Sequence, residues 1–204
     1  MKDIIIKDNG GTARTPLEAG SYRAVCYSIV VLGTTYNQAF DKTVTQICFT
    51  WELPDERITV NGEDLPKAIS ATYTLSLREK SNLRAMLASW RGRDFTKEEL
   101  DGFSLRKVLG APCMIAVTNY IGKDGSEKAK VASVVRLPKS MVVPDGTENP
   151  QVLFNIMDEE FPLEDMEKLP EWQQNRIKES KEYKERTTSP DDFIVANDED
   201  LPFG

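Results

Sequence analysis

The apolar pattern of this 204-residue chain changes period twice, and that succession restricts what it can fold into. Residues 21–32 are rich in aromatic and β-branched side chains and read as a long strand that starts after Gly20. Residues 43–53 alternate cleanly, with Ile47, Phe49, Trp51 and Leu53 on one face and Thr50 and Glu52 on the other. Gly33 to Asp41 is expected to connect these strands, and Pro54 to stop the second. Residues 69–77 supply a third strand, with Ala71, Tyr73, Leu75 and Leu77 on one side. The spacing then turns helical. Leu83, Met86, Leu87 and Trp90 share one helix face, Ser81 is the expected N-cap and Gly92 the terminator. Thr96-Lys97-Glu98-Glu99 reads as a capping box, and residues 104–109 as a third helical piece closed by Gly110. Period two returns in residues 113–118 and 129–137, which flank the turn sequence Gly122-Lys123-Asp124-Gly125.

Five strands with helical material between the third and fourth describe a mainly β chain with a helical insert (α+β). The expected architecture is an OB-fold, a five-stranded, partly open Greek-key barrel that commonly binds oligonucleotides. It would occupy residues 20–144, behind an N-terminal arm of residues 1–19. Residues 145–178 read as an extension with a short strand at 152–156 and a helix from Pro170 to Ile177, on which Trp172 is the expected docking anchor. Residues 179–204 have the composition of a disordered linker and acidic tail.

A net charge of −7 argues against nucleic acid until it is divided along the chain. Residues 1–150 hold 20 Lys and Arg against 18 Asp and Glu, a balance of +2, whereas residues 151–204 hold 6 against 15, a balance of −9. The acidity therefore belongs to the C-terminal quarter, and a near-neutral body can still carry a basic stripe. Histidine is absent, which removes the commonest general base and zinc ligand. Without a Gly-rich phosphate loop either, the reading is a non-enzyme with no cofactor and no metal site. The acid clusters Glu98-Glu99 and Asp158-Glu159-Glu160 read as solvated faces, since adjacent side chains diverge. Cys26, Cys48 and Cys113 lack metal spacing and read as buried free thiols. No apolar run reaches the roughly 18 residues of a membrane span, and no secretory signal precedes the first strand, so a cytoplasmic location is expected.

Binding to single-stranded nucleic acid calls for cations interleaved with flat rings, because cations meet phosphates while rings stack on unpaired bases. Three places carry that pattern. Tyr36, Phe40 and Lys42 lie between the first two strands. Arg78, Lys80, Arg84, Arg91 and Arg93 surround the helical insert, where Trp90 belongs to the apolar face, as Trp51 does on its strand. Tyr120, Lys123, Lys128 and Lys130 lie on the last hairpin, in the position of the fourth-to-fifth strand loop of an OB-fold.

The chain closes with Asp198-Glu199-Asp200-Leu201-Pro202-Phe203, followed by Gly204. An apolar Leu-Pro-Phe behind an acidic run suits a peptide that docks into another protein. It resembles the C-terminal tip with which bacterial single-stranded DNA-binding proteins recruit replication and repair enzymes, although Gly204 displaces the terminal carboxylate by one residue. Trp51-Glu52-Leu53-Pro54, Thr74-Leu75-Ser76-Leu77, Lys80-Ser81-Asn82-Leu83-Arg84, Trp90-Arg91-Gly92-Arg93, Leu109-Gly110-Ala111-Pro112-Cys113 and Glu167-Lys168-Leu169-Pro170-Glu171-Trp172 together resemble a family of phage-encoded single-stranded DNA-binding proteins of replication and recombination modules. That resemblance implies single-stranded DNA as ligand, replication or repair proteins as partners of the tip, and a bacterial host cytoplasm, with homo-oligomers open. Two other readings stand beside it: a phage adaptor or host-enzyme decoy acting through protein contacts alone, and a recombination protein that anneals or cleaves strands.

Overall fold

The computed structural model describes residues 16–38, 41–60, 62–142 and 146–188. The architecture is mainly β. The chain runs through β1 (Gly20–Asn37), β2 (Lys42–Val60), β3 (Glu63–Thr74), α1 (Asn82–Arg91), α2 (Lys97–Asp101), β4 (Pro112–Ile121), β5 (Glu127–Arg136), β6 (Val152–Asn155), α3 (Glu171–Lys178) and α4 (Lys181–Thr187). Short 3-10 turns occupy Leu105–Val108 and Leu163–Lys168. The sheet order is β3-β2-β1-β4-β5, antiparallel throughout, and β6 adds to β1 in parallel.

β1 serves three partners because it is long and bulged. Gly20 to Val25 pair with β4, and Val25 to Asn37 pair with β2. On the edge that β4 leaves at Val25, the Cys26 N–H donates to the Ala111 carbonyl and the Gly110 N–H to the Cys26 carbonyl; Ser28 to Val31 then pair with β6. The backbone groups of this edge are thereby satisfied in sequence, as buried strand edges require. Register shifts lie between Cys26 and Ser28 and between Val31 and Gly33, each a local increase in bend.

Two sequence expectations about these strands need correction. Gly33 (φ 88°) does not start a connection: it sits in the second bulge, and β1 continues to Asn37. Pro54 does not end β2. The ladder with β3 skips from Leu53 to Arg57, so the proline falls in a bulge where no ladder N–H is needed, and pairing resumes to Val60. β3 correspondingly starts at Glu63 and ends at Thr74.

The main core lies on the inner face of the sheet and under α1. Ile47, Phe49, Trp51 and Leu53 are fully buried there, with Trp51 stacked on Phe49 (5.8 Å between centroids) and 5.9 Å from Trp90. The expected apolar face of α1 holds in full: Leu83, Met86, Leu87 and Trp90 are its buried residues, Ser81 caps the Arg84 N–H, and Gly92 (φ 72°) ends the helix. Thr96 and Glu99 form the expected capping box. α1 packs against both β3 and β5, the outer strands, which approach each other.

A second core lies on the outer face of β1 and β2. Val30, Leu32 and Cys48 pack there against Phe154, Ile156, Met166, Leu169 and Ile177 from the C-terminal extension. β1 and β2 are therefore buried on both faces. Glu52 is covered by this arrangement and is only 1% exposed; its carboxylate accepts the backbone N–H groups of Glu148 (2.8 Å) and Asn149 (2.9 Å) and the Asn149 amide (2.7 Å). Trp172 is not the anchor of α3, since it is 45% exposed, whereas Gln173 and Ile177 are buried. Residues 180–187 of the expected linker are ordered: α4 spans Lys181–Thr187, Ser180 is fully buried, and Arg186 donates to the carbonyls of Ile156, Asp158, Glu159 and Phe161, whereas residues 189–204 lie outside the described residues. All three cysteines are free and buried, and burial pushes each thiol above its ordinary range. Among the described residues no helix is long and apolar enough to cross a membrane, and no cluster of metal-ligating side chains occurs.

Candidate nucleic-acid interface

The residues expected to contact nucleic acid separate into three groups in space. The first meets in a groove. At the end of β1, Tyr36 is 60% exposed and lines a cavity of about 550 Å3 with Gln46 of β2 and Arg176 of α3. Gln46 also lines the neighbouring cavity of about 450 Å3, whose wall is Thr72, Tyr73 and Thr74 of β3 and whose rim carries Arg78 and Lys80. Tyr73 and Asn82 lead into a third cavity, bounded by Ala85 and Ser89 of α1 and Val131 to Val134 of β5. The first two cavities share Gln46 and the second and third share Tyr73 and Asn82, so the three adjoin in a row.

This groove is cationic and small-walled for identifiable reasons. Arg78 and Lys80 follow β3 in a turn where the Ser81 hydroxyl caps α1, so their side chains point to solvent and form no ion pair among the described residues. Arg176 is held across the groove by the Gln46 amide oxygen (2.9 Å), with Glu179 3.5 Å away on its own helix. The Tyr36 hydroxyl donates to the Asp41 carboxylate; that bond, with a smaller contribution from burial, raises the phenol above its ordinary range and fixes the ring. Tyr73 meets Phe49 edge-on at 6.0 Å and is pushed up to about 12 by burial, so its ring is part wall and part core. Lys42 lies opposite Asn37 where β2 begins. Phe40 falls outside the described residues.

A second group is bound by acids. Arg84 makes two hydrogen bonds to Asp94 (3.1 and 2.9 Å), which hold that carboxyl below its usual range. Arg93 and Arg91 both bond Glu99 and hold it far below the carboxylate range. Arg91 also lies over the rings of Phe95 (4.6 Å) and Phe103 (4.8 Å), so much of its work is structural. The third group stands on the β4–β5 hairpin. Tyr120 is 44% exposed with the Lys130 ammonium 5.4 Å from its ring, Lys128 is paired with Asp124 (2.9 Å), and Lys123 is exposed. None of these four lines the groove.

Gln46, Tyr73 and Arg176 escaped the sequence reading. Gln46 is the one amide on a strand face that also carries Cys48, Thr50 and Glu52, and that is its one local sign. Arg176 carries no such sign, because its place depends on how the extension folds back. The tip Asp198 to Phe203 lies outside the described residues. No family model, curated protein or solved structure matches this chain at significant similarity.

Proposed function

We propose that this protein binds single-stranded DNA, with little sequence preference, along the groove from Tyr36 to the α1–β5 seam. The observation that carries this reading is the row of adjoining cavities: exposed Tyr36 at one end, Arg176, Arg78 and Lys80 along it, and Gln46 shared between the first two. Cations track a phosphate backbone, exposed rings stack on bases, and the small polar wall of Thr72 and Thr74 imposes no base pattern. The strand connectivity supports the same reading: β1 pairs with both β2 and β4, and α1 lies between β3 and β4, an order compatible with an OB-type barrel.

The phage-like motifs support a role in replication or recombination, in which the acidic Asp198 to Phe203 segment recruits partner proteins. Fluorescence anisotropy with labelled oligo-dT and a matched duplex, over a salt series, tests the proposal. Single strands should bind at least tenfold more tightly, with affinity falling steeply as salt rises. Equal affinity for the duplex, or no binding to oligo-dT at low salt, overturns it.

A further inference from the structure

Beyond the C-terminal end of α1 lies a separate cleft of about 590 Å3 whose lining holds five cations and no acid: Arg91, Arg93, Lys107, Arg136 and Lys139. Glu99 offsets part of the Arg91 and Arg93 charge from behind. Lys107 has only the Phe103 ring near it, at 5.9 Å, and Arg136 and Lys139 form no ion pair among the described residues. Cations gathered in excess of counter-charge raise the local potential and favour an anion.

The cleft neighbours the groove along α1 and β5. Ser89 and Val134 line the groove's last cavity; Trp90 and Arg136, one and two residues further along the same elements, line the cleft. No flat ring is offered there, because Trp90 is 4% exposed and its indole N–H donates to the Pro112 carbonyl at 3.0 Å. The cleft can therefore hold charge but cannot stack bases. We infer that it takes the phosphate backbone of the same DNA strand as it leaves the groove, so that the footprint has a stacking part and a purely electrostatic part.

This inference rests on the single-strand reading, and two oligonucleotide lengths separate the two. The full chain and its Arg136→Ala/Lys139→Ala variant are titrated with labelled oligo-dT of about 8 and about 30 nucleotides, on either side of the upper range of one-domain site sizes. For the long strand, affinity at low salt should fall about tenfold and the slope of log K against log salt should shrink by about 1.4, at roughly 0.7 for each phosphate that is no longer neutralised. Affinity for the short strand should stay within twofold. Both residues are exposed, and an unchanged far-UV spectrum and melting curve verify the fold. A Lys178→Ala/Lys184→Ala variant removes the same charge from exposed positions outside the cleft and should have a smaller effect on the long strand. Equal losses at both lengths, no loss at either, or an equal loss in that second variant overturns the inference. Failure of the unaltered chain to bind either strand overturns the single-strand reading itself, and this inference with it.

Discussion

Glu182 of α4 accepts the backbone N–H of Thr34 in β1 at 2.7 Å, and its second carboxylate oxygen takes the Thr34 hydroxyl. This pair ties the last described helix to the strand that opens the sheet, two residues from the groove tyrosine, Tyr36. The C-terminal extension is thus part of the groove's foundation. It also supplies a groove residue, Arg176.

Acid should loosen that tie. Burial alone would raise the Glu182 carboxyl, but the Thr34 hydroxyl and N–H outweigh it and leave the group below its ordinary value. Because the folded-state value is depressed, the stabilisation is complete above the unfolded carboxylate range near pH 4.5 and is lost as pH falls through the lower folded value. The protection factors of residues 180–187, taken relative to the intrinsic exchange rate at each pH, should fall below about pH 4.5 in the native chain. In Glu182→Gln they should be low already at pH 7. Equal protection of the two proteins at pH 7 would show that the contact does not hold α4.

Gly33→Ala should destabilise the fold by about 2 kcal/mol or more. The backbone there is left-handed (φ 88°), which costs an L-residue roughly 1–2 kcal/mol. An added Cβ would also stand 2.5 Å from the Ser180 Cβ, so the extension must shift. Urea denaturation measures the loss; a change under about 0.5 kcal/mol would contradict the close packing of bulge and extension.

Glu52→Ala should cost roughly 3 kcal/mol, since it strands the Glu148 and Asn149 donors that now point at a buried carboxylate. Glu52→Gln should cost less, because its oxygen keeps one acceptor. Thermal melts of the two variants give the ranking, and the reverse order would refute the role of the acceptor oxygen.

Within the groove, Tyr36→Ala should weaken oligo-dT binding about tenfold, and Arg78→Ala/Lys80→Ala should reduce the salt slope by about 1.4. Arg84→Ala should leave both nearly unchanged, because Asp94 already occupies its guanidinium. A larger effect from Arg84 than from Tyr36 would place the strand elsewhere.

Much of this fold is local chemistry and was therefore legible. Period-two alternation marks the inner faces of β2 and β3, and helical spacing with Ser81 and Gly92 delimits α1, because side-chain direction follows from backbone period alone. The same chemistry misleads at Gly33 and Pro54. Both residues usually mark turns, yet a bulge accommodates either one, and only a partner strand shows that pairing resumes.

What the sequence determined by itself is the succession of strands and helices, the main core and the inventory of cations and rings. Tertiary structure decided which of them can meet a ligand. Arg84, Arg91, Arg93 and Lys128 read locally like free phosphate contacts, but Asp94, Glu99 and Asp124 bind them, whereas Arg176 reaches Gln46 across 130 residues of chain. The burial of Glu52 and the exposure of Trp172 likewise depend on where the sparse apolar residues of the extension land. Charge pairing and the second face of a sheet are properties of distance in space, and a one-dimensional pattern records only distance along the chain.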